Sequence, residues 1–104
     1  MLLDEIASIT WLMPWQPADP GLELELAKEI GREHALYRRK AISVARRVDN
    51  DDVLFFLPEN PAILAVVHLT WKGSTEVSAQ WPITKFYFSV SDWVENCMQV
   101  DHIA

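Results

Sequence analysis

One cysteine, three glycines and no long apolar run place several protein classes out of reach for this 104-residue chain. Cys97 alone makes no internal disulfide, and it excludes a zinc site built on several thiolates. Gly21, Gly31 and Gly73 stand too far apart for a phosphate-cradling loop, and no Gly-x-Ser-x-Gly elbow is present. The longest stretch without a charge, residues 6–18, is shorter than a bilayer span and contains Pro14 and Pro17. No membrane contact is therefore expected. Residues 1–5 carry Asp4 and Glu5 where a secretory signal would be basic, so the expected location is the reducing cytoplasm.

What remains is the composition of an ordinary folded domain: half the residues are hydrophobic and 23% are charged. Its length suits one domain over residues 1–104. The net charge of −6 hides a segregated pattern. Residues 1–31 hold six acids against Lys28, residues 32–48 hold six bases against Glu33, and residues 49–104 hold eight acids against Lys72 and Lys85. An acidic whole repels a phosphate backbone at long range, so nucleic acid is an unfavoured partner despite the local basic stretch.

Apolar spacing then predicts the elements. Residues 3–12 read as a short helix ended by the prolines. Asp19-Pro20-Gly21 reads as a second helix start, with Asp19 as N-cap and Pro20 at the first helical position. Leu22, Leu26 and Ile30 then carry an amphipathic helix to about Glu33, with Glu23, Glu25 and Glu29 as favourable acidic charge near its N-terminal end. Residues 41–48 alternate as a strand with one wetter face, and Asp49-Asn50-Asp51-Asp52 is turn chemistry. Residues 53–57 and 63–71 are nearly unbroken apolar runs of strand formers around a turn at 58–61, so both of their faces need cover. Residues 84–88 form a fourth strand. Ser89 and Ser91 are both plausible caps for a last helix bearing Val90, Trp93, Val94, Cys97 and Met98. With no βαβ crossover, the fold expected is α+β: a four-stranded antiparallel β-meander with N- and C-terminal helices packed against it.

Chemistry is sparse in this pattern. The acidic turn lacks the glycine and distal glutamate of a calcium loop, and His34, His68 and His102 have no neighbours at metal-ligand spacing, so no metal or other cofactor is expected. His68 is the one ionisable side chain in a strand that reads as core, either a hydrogen-bonded core histidine or the polar group of a pocket. Cys97 and His68 are residue types of a nucleophile–base pair, but a single thiol on the apolar face of a helix reads as packing, and no catalytic set is assigned. Five tryptophans are many for this length. If Trp71, Trp81 and Trp93 gather around a cleft with His68 and Tyr87, they make an aromatic ligand pocket; otherwise the indoles fill core. Arg38, Arg39, Arg46 and Arg47, with Tyr37 beside them, offer an anion or partner contact, or a solvated edge paired with the protein's own acids.

At Ala65-Val66-Val67-His68-Leu69-Thr70-Trp71, then Trp81-Pro82 and Asp92-Trp93, the chain resembles a group of short bacterial proteins to which no activity is attached. The likeness spans about residues 22–102 and implies a bacterial cytoplasmic protein of mixed fold, with no cofactor or catalytic residue to carry over. The functional expectation is thus a non-enzymatic domain that binds another protein through its apolar and basic surfaces, in one version an antidote-like regulator that covers a basic surface. The alternative is a small-molecule binder or minor enzyme using His68, Trp71, Trp81 and Tyr87. A homodimer is compatible with either.

Overall fold

The two apolar runs become adjacent strands, and everything else is arranged to cover them. The computed structural model describes residues 2–59, 61–76 and 78–103. Asn60, within the turn expected at 58–61, lies outside the described residues. The elements are α1 (Leu2–Ala7), β1 (Trp15–Pro17), α2 (Leu22–Glu29), β2 (Ile42–Arg47), β3 (Asp52–Leu57), β4 (Ile63–His68), β5 (Thr84–Tyr87), α3 (Val90–Trp93), a π-helical turn (Val94–Met98) and α4 (Gln99–Ile103). The strands follow one another in a single antiparallel sheet, β1-β2-β3-β4-β5. The α+β class and the meander hold, but the sheet has five strands rather than four.

The additional strand comes from the proline-containing segment just after the helix expected at 3–12, to which no element was assigned. α1 stops at Ala7, where the Ser8 hydroxyl donates to the Asp4 carbonyl at 2.9 Å and competes with the helical ladder. Trp15–Pro17 then pairs with β2, Trp15 opposite Arg47. An edge position tolerates Pro17, whose missing N–H faces no partner strand on the outside. Its shortness conceals it from a periodicity argument.

α2 also starts and ends inside its expected limits. Its cap is Gly21 at φ 118°, not Asp19, a left-handed geometry that glycine adopts without steric cost. The Glu23 carboxylate accepts from the Gly21 N–H at 2.8 Å. After Glu29 the chain leaves the helix, and a Cβ at Gly31 would stand 2.6 Å from the Glu76 carbonyl oxygen, so the 69–76 loop approaches too closely there for any side chain.

Each face of the sheet has its own core. Alternate residues of β3 and β4 divide between them: Leu54, Phe56 and Leu64 face Val90, Trp93, Cys97 and Met98 of the C-terminal helical run, while Val53, Phe55, Leu57, Ala65 and Val67 face Leu26 of α2 and Leu36. Of the two serines, Ser89 is the cap, its hydroxyl accepting from the Asp92 N–H at 3.0 Å. Trp93 is fully buried and meets Trp15 edge-on at 5.2 Å and Trp11 at 6.0 Å between ring centroids. Such aromatic pairs add about 1 kcal/mol each beyond their buried area. Among the described residues, no helix is long and apolar enough to cross a membrane.

Trp93→Ala should therefore lower unfolding free energy by about 3–5 kcal/mol, whereas Trp71→Ala, at a half-exposed position, should cost less than about 1 kcal/mol. Urea denaturation of both variants measures the contrast.

Candidate functional site

The hairpin between β2 and β3 sets the site. The Asn50 side chain accepts from the Asp52 N–H at 2.8 Å, an Asx turn that starts β3 on Asp52. Antiparallel register then places Asp52 opposite His68, the last residue of β4, with Nδ1 to Oδ1 at 2.7 Å. The Asp52 carboxylate accepts from the Nδ1–H and fixes the ring, and Nε2 has no partner among the described residues. His68 is half exposed rather than core, because β4 ends there.

Two open clefts, each of about 310 Å3, lie on either side of this imidazole. The first lies under the C-terminal helical run and is lined by Asp52, His68, Lys85, Tyr87, Asn96 and Cys97 among others. The Lys85 ammonium lies 5.4 Å from the Tyr87 ring centroid. Burial pushes the Tyr87 phenol well above its ordinary range, with the neighbouring Cys97 adding to the shift. Burial, reinforced by the Asp101 carboxylate, pushes the Cys97 thiol up to about 12. A thiol held so firmly protonated is no nucleophile at neutral pH. Asp101 is occupied structurally: its Oδ2 accepts from Trp15 Nε1 at 2.8 Å and pairs with Arg47 at 3.2 Å.

The second cleft is lined by Asp51, His68, Thr70, Lys72, Glu76 and Trp81, with Leu69 at its base. Of the four residues sequence reasoning placed at a pocket, His68 and Tyr87 share the first cleft, and His68 and Trp81 share the second. Trp71 lines neither. It stands 48% exposed between Thr70 and Lys72 with φ +57°, a left-handed backbone that is uncommon for a bulky residue. Trp93, the third indole of the expected cluster, is instead buried with Trp11 and Trp15.

What holds Trp71 is a carboxylate that the sequence reading gave only as favourable charge toward the N-terminal end of α2, and that is in fact the last residue of the helix. Glu29 is fully buried, and its two oxygens accept from the Thr70 N–H at 2.8 Å and the Trp71 N–H at 3.0 Å. Glu25, one helical turn earlier and also buried, hydrogen-bonds to Glu29. That bond, with burial and the charge of Glu29, pushes the Glu25 carboxyl up to about 7. Burial works against ionising Glu29, but the Glu25 bond and the two backbone donors outweigh it and hold its carboxyl below the ordinary range. The signal was present: Leu22, Glu25, Leu26, Glu29 and Ile30 form one continuous inward stripe at helical spacing, and two of its five members are acids.

The four arginines do not make one stripe. Arg46 and Arg47 are consecutive in β2 and point to opposite faces. Arg47 grips Asp49 through two bonds of 2.8 Å and reaches Asp101, while Arg46 lies in a cleft with Gln16, Asp19 and Gly21. Arg38 and Arg39 border a groove beside α2, with Arg38 5.3 Å from the Tyr37 ring centroid. The other histidines are structural: His34 bonds the Pro82 carbonyl at 2.8 Å and accepts from the Leu36 N–H at 3.0 Å, and His102 bonds the Met13 carbonyl. Among the described residues, no group of three or more His, Cys, Asp or Glu side chains is placed to hold a metal ion.

The fold and its clefts thus define a small α+β meander domain whose distinctive surface surrounds His68. No known protein family, no curated protein and no solved structure matches the chain.

The protonated state of Cys97 gives a direct expectation. Alkylation by iodoacetamide at pH 8 should be at least about a hundredfold slower in the folded protein than in urea, since the thiolate fraction falls tenfold per unit of pKa rise. Mass spectrometry of quenched samples measures the two rates.

Proposed function

We propose that this chain works without catalysis, by binding another protein through the surface around His68, and that the partner's contact is basic. The observation that carries this reading is Trp71: a large indole left half exposed, on a backbone outlier that a buried carboxylate holds in place. Sparsely populated backbone geometry costs about 1–3 kcal/mol, so a strained and exposed aromatic points to a contact residue rather than a packing residue. Trp81, 43% exposed, Asp51 and Glu76 extend the surface. Tryptophan is the residue type most enriched where binding energy concentrates, and holding it rigid before contact removes part of the entropy cost of association.

Charge supports the basic partner. The whole chain is acidic, Asp49, Asp51 and Asp52 crowd the hairpin tip, and the bases expected to form a competing surface are dispersed or paired. A negative field speeds encounter with a positive surface, as in an antidote-like regulator that covers a basic protein. The contact is then aromatic and acidic, in place of the apolar and basic one the sequence suggested.

With a partner identified among the proteins of neighbouring genes, gel filtration and calorimetry at 50 and 500 mM salt test the reading. Trp81→Ala and Asp51→Lys should each weaken affinity by about thirtyfold or more, and high salt should weaken the wild-type complex. Affinity indifferent to salt and to both substitutions would remove this surface from consideration.

A second reading, a small-molecule site, draws support from one specific arrangement: the Asp52-oriented imidazole with Lys85 and Tyr87 in the same cleft. A fragment library screened by amide chemical shifts should then give hits clustered at His68 and Tyr87 that vanish in His68→Ala. Hits that persist in that variant exclude the cleft.

A further inference from the structure

We infer that Glu25 and Glu29 form a proton-controlled latch on the Trp71 loop, gripping residues 69–76 while the two carboxyls share one proton and loosening when both are ionised. The inference rests on the proposed binding surface only in making Trp71 part of a contact; the latch itself belongs to the free chain.

The geometry is that of a clamp. Glu29 is the junction: its side chain takes the Thr70 and Trp71 N–H groups, and its backbone carbonyl accepts from the Glu76 N–H at 3.0 Å. One residue earlier, the Lys28 carbonyl accepts from the Thr75 hydroxyl at 2.9 Å. The end of α2 therefore holds both ends of the loop, the 70–71 end through a fully buried carboxylate and the 75–76 end through backbone carbonyls. A lone buried carboxylate is costly unless hydrogen bonds satisfy it, and Glu25 supplies the remaining one. That donor exists only while Glu25 is protonated. Once Glu25 ionises, two negative groups on successive turns share a site shielded from water, and Oε2 of Glu25 has no hydrogen-bond partner among the described residues to disperse its charge.

The surroundings offer little compensation. On its own helix Lys28 favours the ionised form of Glu25 but does not outweigh Glu29. From the packed loop, Lys72 is mostly exposed and is paired with Glu76 at 3.3 Å. Of the other neighbours of α2, Leu36 and the β3–β4 face carrying Val53, Phe55, Ala65 and Val67 are apolar, Ser43 of β2 bonds Glu23, and Arg38 and Arg39 border the groove beside Leu26 and Ile30.

The direction of the pH response follows. The folded Glu25 carboxyl titrates near 7, above the ordinary 4.5 that it takes when unfolded. Its contribution to stability is complete below the ordinary value and disappears as pH rises through 7. Mild alkalinity loosens the loop and mild acidity tightens it, so the rigidity of Trp71 is set within the range of pH a cell can reach.

Hydrogen exchange at the Thr70, Trp71 and Glu76 amides reads the latch in the isolated protein. After correction for intrinsic rates, protection in the wild type should fall about thirtyfold between pH 5.5 and 8.5, since a single proton changes an equilibrium by at most tenfold per pH unit and the change levels off above the folded midpoint near 7. Glu25→Gln, a neutral donor at every pH, should hold protection constant within about threefold over the same range. Equal pH dependence in the two proteins, or a flat wild-type profile, overturns the latch. If Glu25→Gln does not fold, the carboxyl 13C titration of wild-type Glu25 decides: a midpoint near neutrality supports the inference, and one in the ordinary carboxyl range overturns it. No partner enters these measurements, so loss of the latch leaves the binding surface standing, and a failed binding test leaves the latch standing.

Discussion

Residues 53–57 and 63–67 have apolar side chains pointing both ways, and an antiparallel pair with that property is stable only when both of its faces are dry. Removing each such side chain from water contributes about 1.5–3 kcal/mol, so leaving either face open would forfeit much of what holds a domain this small together. Two helical layers follow from that demand. The C-terminal run closes one face with Trp93 and Met98; α2 and the segment after it close the other with Leu26 and Leu36. The short edge strand β1 then adds Trp15 to the first core.

Closing the second face brings polar groups inside, and there the structure becomes distinctive. α2 is too short to cover β3 and β4 with aliphatic residues alone, and Glu25 and Glu29 occupy two positions of its inward stripe. Their burial is made tolerable by giving the carboxylate the backbone donors that β4 leaves unpaired beyond His68. One compensation therefore satisfies two deficits: a buried charge and the open end of a strand. Trp71 faces outward as a consequence, on a backbone it would not adopt alone.

The surface around His68 inherits its form from these constraints. The β2–β3 turn is acidic because Asp and Asn stabilise tight turns, and the same carboxylates set the charge of the rim. Asp52 orients the imidazole only because the hairpin register puts it opposite His68. Arg47 pairs with Asp49 and Asp101, which ties the hairpin to the C-terminal helix and offsets the charge of Asp49 at the tip.

The local pattern of residues determined a good deal: alternation gave β2 and β5, unbroken runs of strand formers gave β3 and β4, helical spacing gave α2 and the C-terminal run, and the absence of a crossover gave the antiparallel meander. Those are short-range properties, fixed by where successive side chains point. The tertiary structure alone decided the fifth strand, whose three residues carry no period; the inward turn of Glu25 and Glu29, read only as charge favourable to the helix N-terminus; and the early end of β4 at His68. In each case the outcome depends on a partner distant in sequence, the Thr70 and Trp71 amides for Glu29 and β2 for Trp15, and no local preference specifies a contact of that range.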